Sequence, residues 1–320
     1  MPIAMFRSLA LLALVSCLAA CHEREADALP GNAGLEQLGF VETEAFSGQN
    51  AWMHTNELVK MGSRPTGSEA YKTQLEYIRS QLTKNGWECK VMDFTVTNPV
   101  TGEPVHMQNL LARFGNGHDF DEMVNGIVSC HIDTKEGIPG FVGANDGASG
   151  AAVLLELSRV LAAHPDLTRK VELVFFDGEE SFAPHMNEED GLYGSKYDAG
   201  RRGDKQPLWM VNLDMVGRDR MKIRIPWDTP QRIYEEYKRA VQALNLPSSQ
   251  WGVSEMPILD DHKPFLSNGV YALNLIDDFM DGDWWHTERD NMDIISPDSL
   301  ETTGKVVMQL LKQLVPGDSM

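Results

Sequence analysis

Four apolar runs and one glycine-rich loop in this 320-residue chain lead into residues that bind cations. Ile127-Val128-Ser129-Cys130 precedes His131-Ile132-Asp133, and Val174-Phe175-Phe176 precedes Asp177-Gly178-Glu179-Glu180. Val211-Asn212-Leu213 precedes Asp214, and the run 270–276 comes before Trp284-Trp285-His286-Thr287. The loop holds Gly143-Ala144-Asn145-Asp146-Gly147. Singly, each has a plainer reading. An Asp in a glycine-rich loop is turn chemistry, a His after a strand is a hydrogen bonder, and adjacent glutamates form a solvated face. Together they are harder to explain that way. Unpaired charges buried beside a core cost several kcal/mol each, and a divalent cation removes that cost. Mixed imidazole and carboxylate donors fit zinc better than calcium or magnesium, and leave cobalt and manganese open. Asp133, two residues after His131, points to the same side of an extended chain and can orient its imidazole.

The elements that must position these residues follow from periodicity. Helices are expected from Ser47 to about Met61 and from Ser68 to Asn85. In the second, Tyr71, Leu75, Ile78 and Leu82 share a face and Gly86 stops the helix. The runs 87–97 and 105–114, split by Asn98-Pro99 and Thr101-Gly102-Glu103-Pro104, read as a hairpin. Ser149 is placed to cap an apolar helix from Gly150 to Ala163. Short apolar runs at 126–130, 171–176, 208–213 and 270–276 read as buried strands. Helices at 230–244 and 297–314 complete the alternation. The expected class is therefore α/β, a three-layer α/β/α sandwich around a mixed, mostly parallel sheet, in one domain covering about 46–316. In open sheets of this kind, ligands bind in the crevice beyond the strand carboxyl ends.

The 28 Lys and Arg against 47 Asp and Glu give a net charge of −19, which argues against a nucleic-acid partner because phosphates need clustered cations. Residues 1–20 carry only Arg7 as a charge, then an apolar run from Leu9 to Leu18 that is too short to span a membrane but fits a secretory signal. Leu18-Ala19-Ala20-Cys21 resembles the lipobox of bacterial lipoproteins, which implies a lipid anchor on Cys21. His22 in place of Asp favours the outer membrane, facing the periplasm. Residues 21–45 read as a tether. Cys89 and Cys130 are left in the body, where an oxidising compartment would allow them to pair. The expected state is a monomer.

The series His131-x-Asp133, Asn145-Asp146, Gly178-Glu179-Glu180, Asn212-Leu213-Asp214 and Trp285-His286-Thr287 resembles the zinc exopeptidases of metallopeptidase family 28, over nearly all of 46–316. The superfamily includes bacterial aminopeptidases and the glutaminyl-peptide cyclotransferases. The resemblance implies that Asp146, Glu180 and His286 hold one zinc. It also implies that Asp146 bridges to a second metal on His131 and Asp214, and that Glu179 moves protons. Three stretches resemble the cyclase branch: the insertion between Glu180 and Asp190-Gly191-Leu192-Tyr193-Gly194-Ser195, the run Asp260-Asp261-His262-Lys263-Pro264-Phe265-Leu266, and Trp285-His286-Thr287. By that resemblance Trp285 walls a glutamine side chain, and Asp260 joins Glu179 and Asp214 in a proton network. A helix N-cap is an equal reading of Asp260. Three features depart from the cyclases, the first being Asn212-Leu213-Asp214-Met215-Val216-Gly217, which is close to the peptidase form. The other two set the chain apart from the animal cyclases. The insertion 181–190 holds Phe182, Pro184 and His185 but no Trp, and Ala151 stands where a disulfide partner for Cys130 would be.

Two enzyme activities on peptides with a free N-terminus follow as expectations. In the first, N-terminal glutamine cyclises to pyroglutamate with loss of ammonia, at one zinc. In the second, an aminopeptidase removes the N-terminal residue by hydrolysis, at two. A metal store is a third reading, and Glu179 beside Glu180 argues against it because a store needs no free base.

Overall fold

The computed structural model describes residues 46–315. The leader, the Cys21 anchor and the tether lie outside the described residues. Among those described, no helix is long and apolar enough to cross a membrane.

The described residues open with two amphipathic helices, α1 (Gly48–Val59) and α2 (Glu69–Lys84), capped by the Ser47 and Ser68 hydroxyls. Tyr71, Leu75, Ile78 and Leu82 of α2 are buried, and Gly86 (φ 85°) turns the chain out of the helix. The hairpin β1 (Trp87–Thr97) and β2 (Pro104–Phe114) pairs Trp87 with Phe114. Then β3 (Gly126–His131), α3 (Ala148–Leu161), the single turn α4 (Pro165–Thr168) and β4 (Val171–Phe176) build the sheet centre. They are followed by α5 (Tyr193–Arg202), β5 (Trp209–Asp214), β6 (Ile223–Ile225), α6 (Gln231–Ala243), β7 (Trp251–Val253), α7 (His262–Ser267), β8 (Tyr271–Asp277) and α8 (Pro297–Leu314). The short elements α4, α5, α7, β6 and β7 carry too few apolar repeats to be read from the sequence.

The strands form one eight-stranded mixed sheet in the order β1-β2-β4-β3-β5-β8-β6-β7. Its centre, β4-β3-β5-β8, is parallel throughout. Each of these strands is buried almost end to end, as strands covered on both faces must be. Helices α1, α2, α3, α6 and α8 share one apolar core with one face, and α5 and α7 pack on the other. Each fully buried Leu or Val of α3 contributes about 1.5–3 kcal/mol, which keeps this helix against the strand ends.

Two expectations are corrected. The helix after the glycine-rich loop starts at Ala148, with Gly147 at its N-cap and no side-chain cap. The Ser149 hydroxyl instead donates to Asn145 O at 2.5 Å and accepts from Val216 N at 2.9 Å. It ties two loops together, and is committed there rather than at a helix end. Cys89 and Cys130 are both free thiols. They sit on β1 and β3, three strand positions apart, or roughly 14 Å at the usual strand spacing, and a disulfide needs Cα atoms within about 7 Å.

Gly147 itself has φ 91°, and a Cβ there would stand 2.9 Å from Asp133 O and 3.3 Å from His131 Cε1. Gly147→Ala is expected to lose about 1–3 kcal/mol of stability, read as a lowered urea midpoint at unchanged slope. An unaltered midpoint would refute this account of the loop.

Candidate metal centre

Because β4, β3, β5 and β8 run parallel, their carboxyl ends lie along one edge of the sheet. His131 closes β3, Asp214 closes β5, Glu179 and Glu180 follow β4, and His286 follows β8. The chain passes from β3 to β4 and then back across β3 to β5. That places His131 at the switch point, where crevices open in such sheets.

All five residues expected to hold metal converge there. His131, Asp146 and Asp214 form one group of ligand atoms within 4.8 Å of one another, and Asp146, Glu180 and His286 form a second. His131 Nε2 lies 3.1 Å from Asp214 Oδ1 and 3.2 Å from Asp146 Oδ1. His286 Nε2 lies 3.1 Å from Glu180 Oε1 and 3.4 Å from Asp146 Oδ2. A tetrahedral ion with ligands about 2.0–2.1 Å away sets its donor atoms roughly 3.3 Å apart, so both groups have the spacing of a zinc shell. Asp146 offers one oxygen to each group.

The electrostatics agree. Burial by itself would lower His286, but the Asp146 and Glu180 carboxylates beside Nε2 outweigh it and hold the imidazole at about 10. His131 is likewise raised despite burial, by Asp133, Asp146 and Asp214. Burial, then Asp146, pushes Glu180 up. Burial takes Asp214 to about 6 against the opposing pull of His131. Without a cation this cluster takes up protons instead. Glu179 belongs to neither group. Burial, with Glu180, Asp260 and Asp214 adding to it and His131 opposing, raises it well above the usual carboxylate range. A buried carboxyl with raised proton affinity, outside both ligand groups, is suited to general acid-base work.

Asp133 stands 3.6 Å from His131 Nδ1. Its closer partners are the Glu179 and Glu180 amides, which donate to its two oxygens at 3.1 Å each. The carboxylate therefore aims the glutamate pair as well as facing the imidazole. Asp260 does not cap α7, where Asp261 is the N-cap residue and makes no side-chain cap bond. It accepts from Asn212 Nδ2 at 3.0 Å, Asn274 Nδ2 at 2.6 Å and Asp261 N. Burial and then Asp214 raise it to about 7, and its charge in turn acts on Glu179.

Three positioning residues escaped the sequence reading. Asp290 accepts Asn145 N at 2.6 Å and Asp146 N at 3.0 Å, fixing from the loop after His286 the residue shared by both groups. Arg64 donates to Val142 O and Gly143 O behind the same loop. Lys135 lies beside Glu180. Each acts from a distant stretch of chain, so no local pattern reveals it. His286 (φ 52°) and Met215 (φ 51°), next to Asp214, adopt left-handed backbone that non-glycine residues rarely take.

The cavity over these groups measures about 300 Å³ and is lined by Asp146, Glu179, Glu180, Asp214, Trp285 and His286, with Ile258, Ile276 and Phe279 as apolar walls. Trp285 stacks on His286 at 4.2 Å between ring centroids and meets Phe279 at 4.7 Å.

The sequence profile of Peptidase family M28 matches residues 109–311, which contain both candidate ligand groups and Glu179. The chain belongs to this family. It is 27% identical over 282 residues to the mouse glutaminyl-peptide cyclotransferase-like protein, covering 78% of this chain and 72% of that one. The solved glutaminyl cyclase of Porphyromonas gingivalis superposes with a TM-score of 0.75 at 26% identity, over 84% of this chain and 98% of that one. A Zn-dependent exopeptidase from Parabacteroides distasonis shares the fold (TM-score 0.74, 21% identity, 83% and 98% covered). This M28 chain is therefore an enzyme on the zinc-exopeptidase fold.

Two consequences are measurable. Zinc at about 1,000 times its dissociation constant adds roughly 4 kcal/mol, so chelation is expected to lower Tm by about 10 °C at roughly 2–4 °C per kcal/mol. Because His286 holds its proton up to about 10, zinc must displace it at neutral pH. Zinc affinity should then rise with pH up to that value, with proton release seen calorimetrically in buffers of different ionisation enthalpy. In the metal-free protein the sign reverses. The stability from protonated His286 is complete below the ordinary imidazole value of about 6.5 and fades as pH rises towards 10.

Proposed function

We propose that the chain is a zinc-dependent glutaminyl-peptide cyclotransferase, converting N-terminal glutamine of peptides to pyroglutamate with release of ammonia. The observation that carries this reading is the slot itself. Trp285, stacked on His286, walls a cavity large enough for one residue, with Glu179 in its lining and outside both ligand groups. Such a volume lies at the small end of ligand pockets, suited to a single side chain rather than an extended peptide. The names carried by the mouse and Porphyromonas gingivalis proteins support it.

In this reading Asp146, Glu180 and His286 hold the zinc. When bound, zinc supplies Lewis acidity to a carboxamide oxygen. The slot brings the substrate's own α-amine onto its side-chain carbonyl carbon, a step favoured by proximity alone. The new bond joins the α-nitrogen to Cδ, and the bond that breaks joins Cδ to the amide nitrogen. Glu179 takes a proton from the attacking amine and delivers it to the departing ammonia, so none is consumed. Asp260, fixed by Asn212 and Asn274, and Asp214 raise the proton affinity of Glu179 by their charge.

A second reading is a two-zinc aminopeptidase. It is favoured by the intact group His131, Asp146 and Asp214, which could hold a second ion, with Glu179 as base for a water.

The two are separated by counting zinc per chain and offering a glutamine-initiated peptide beside an aminoacyl chromogenic substrate. Ammonia and pyroglutamyl product at one zinc are expected, and release of the first residue at two zincs would overturn the cyclase reading. Glu179→Gln should cut kcat by about 10²–10⁴-fold, the range of a general acid-base, with zinc retained.

We also propose that the mature chain begins at Cys21 as an envelope lipoprotein facing the periplasm, supported by the Leu18-Ala19-Ala20-Cys21 run. Radiolabelled palmitate should enter the protein in its bacterial host and be lost in Cys21→Ala, and label that persists would sink this.

A further inference from the structure

One wall of the cavity, formed by Ser181, Pro184, His185 and Met186, carries no metal ligand and has no tryptophan. Phe182 and Met186 belong to none of the apolar clusters of the core. Hydrophobic burial therefore does not decide where this wall stands. Two buried charges do.

Lys135, 5% exposed, reaches the segment from the loop after β3. Its ammonium donates to Ser181 O, to Ser181 Oγ at 2.6 Å and to Ala183 O at 2.8 Å. That uses all three of its N–H groups. Asp190, 3% exposed, grips the same stretch from the opposite end. Its carboxylate accepts Phe182 N at 2.9 Å and Ala183 N at 2.8 Å, and the Tyr193 hydroxyl donates to it at 2.9 Å. The carbonyls and amides of residues 181–183 are thus held by a cation on one side and an anion on the other, immediately before Pro184, His185 and Met186, which line the cavity with Ser181. Charge-assisted bonds of this kind are roughly twice as strong as neutral ones. The Lys135 ammonium also stands 4.0 Å from Glu180 Oε2, so one side chain references the wall to the ligand groups.

We propose that Lys135 and Asp190 are positioning residues that hold 181–186 as a preformed wall, and that this wall, with Trp285, sets how tightly the substrate's first residue is gripped. The identity of that residue rests on the cyclase reading, but the clamp does not. A wall ordered in advance spares the substrate the cost of ordering it, so loosening it weakens binding of the ground and transition states alike and raises KM more than it lowers kcat.

The test uses Lys135→Met and Asp190→Asn in the full chain. Each should raise KM for a glutamine-initiated peptide by about tenfold, leave kcat within about threefold, keep the zinc content, and speed amide exchange across 181–186 by at least about tenfold. Unchanged KM, loss confined to kcat, or loss of zinc would overturn the proposal. If Lys135→Met shows no cooperative melting, Asp190→Asn decides by the same readings. If the unaltered chain turns over neither a glutamine-initiated peptide nor an aminoacyl substrate, the cyclase reading fails. The exchange rates then judge the clamp alone, and unaltered exchange in Asp190→Asn refutes it.

Discussion

Four carboxylates, those of Asp146, Glu179, Glu180 and Asp214, and two imidazoles, His131 and His286, share one space at the carboxyl edge of the sheet. Their mutual electrostatics are the constraint that the rest of the structure has to meet. Two like charges about 4 Å apart repel by roughly 4 kcal/mol even at an effective dielectric near 20, and three of these acids stand within ligand distance of the imidazoles. Protons on His131 and His286 offset part of this, and a divalent cation offsets more. The parallel centre of the sheet creates the problem, because it lines up four strand ends. It also supplies the crevice in which a cation solves it.

Holding such groups in place requires that their backbones be fixed independently of the metal. The structure does this repeatedly with a buried carboxylate that accepts two adjacent backbone amides. Asp133 takes Glu179 and Glu180, Asp290 takes Asn145 and Asp146, and Asp190 takes Phe182 and Ala183. Each acceptor comes from a loop other than the amides it fixes, or from the far end of the same loop. Moving one strand end therefore disturbs a neighbouring ligand, and coordination geometry becomes a property of the whole edge.

Much of this was readable from residue order. Amphipathic spacing located α2 and α8 to within a residue at each end, since their apolar faces are long enough to average out exceptions. Chemistry located the candidate ligands, because His, Asp and Glu gathered at the ends of several apolar strands are more easily explained with a cation than without one. The short pieces α5, α7, β6 and β7 gave no such signal. The Ser149 cap shows why local rules fail beside a site: its hydroxyl found better partners across the fold, at Asn145 and Val216, than at a helix terminus.

Spacing and residue type pointed to a cation-binding set on an α/β sheet in this acidic chain, and the family resemblance implied five candidate ligands and a free glutamate. That the donor atoms do meet in two groups with Asp146 in both depended on the strand order, because only the crossing of β3 brings β4 and β5 to its two sides. The same is true of the separation of Cys89 from Cys130 by two intervening strands. It also holds for Asp290, Arg64 and Lys135, whose roles come from contacts between segments far apart in the chain. Local sequence fixes what a residue can do, but long-range packing fixes what lies within its reach.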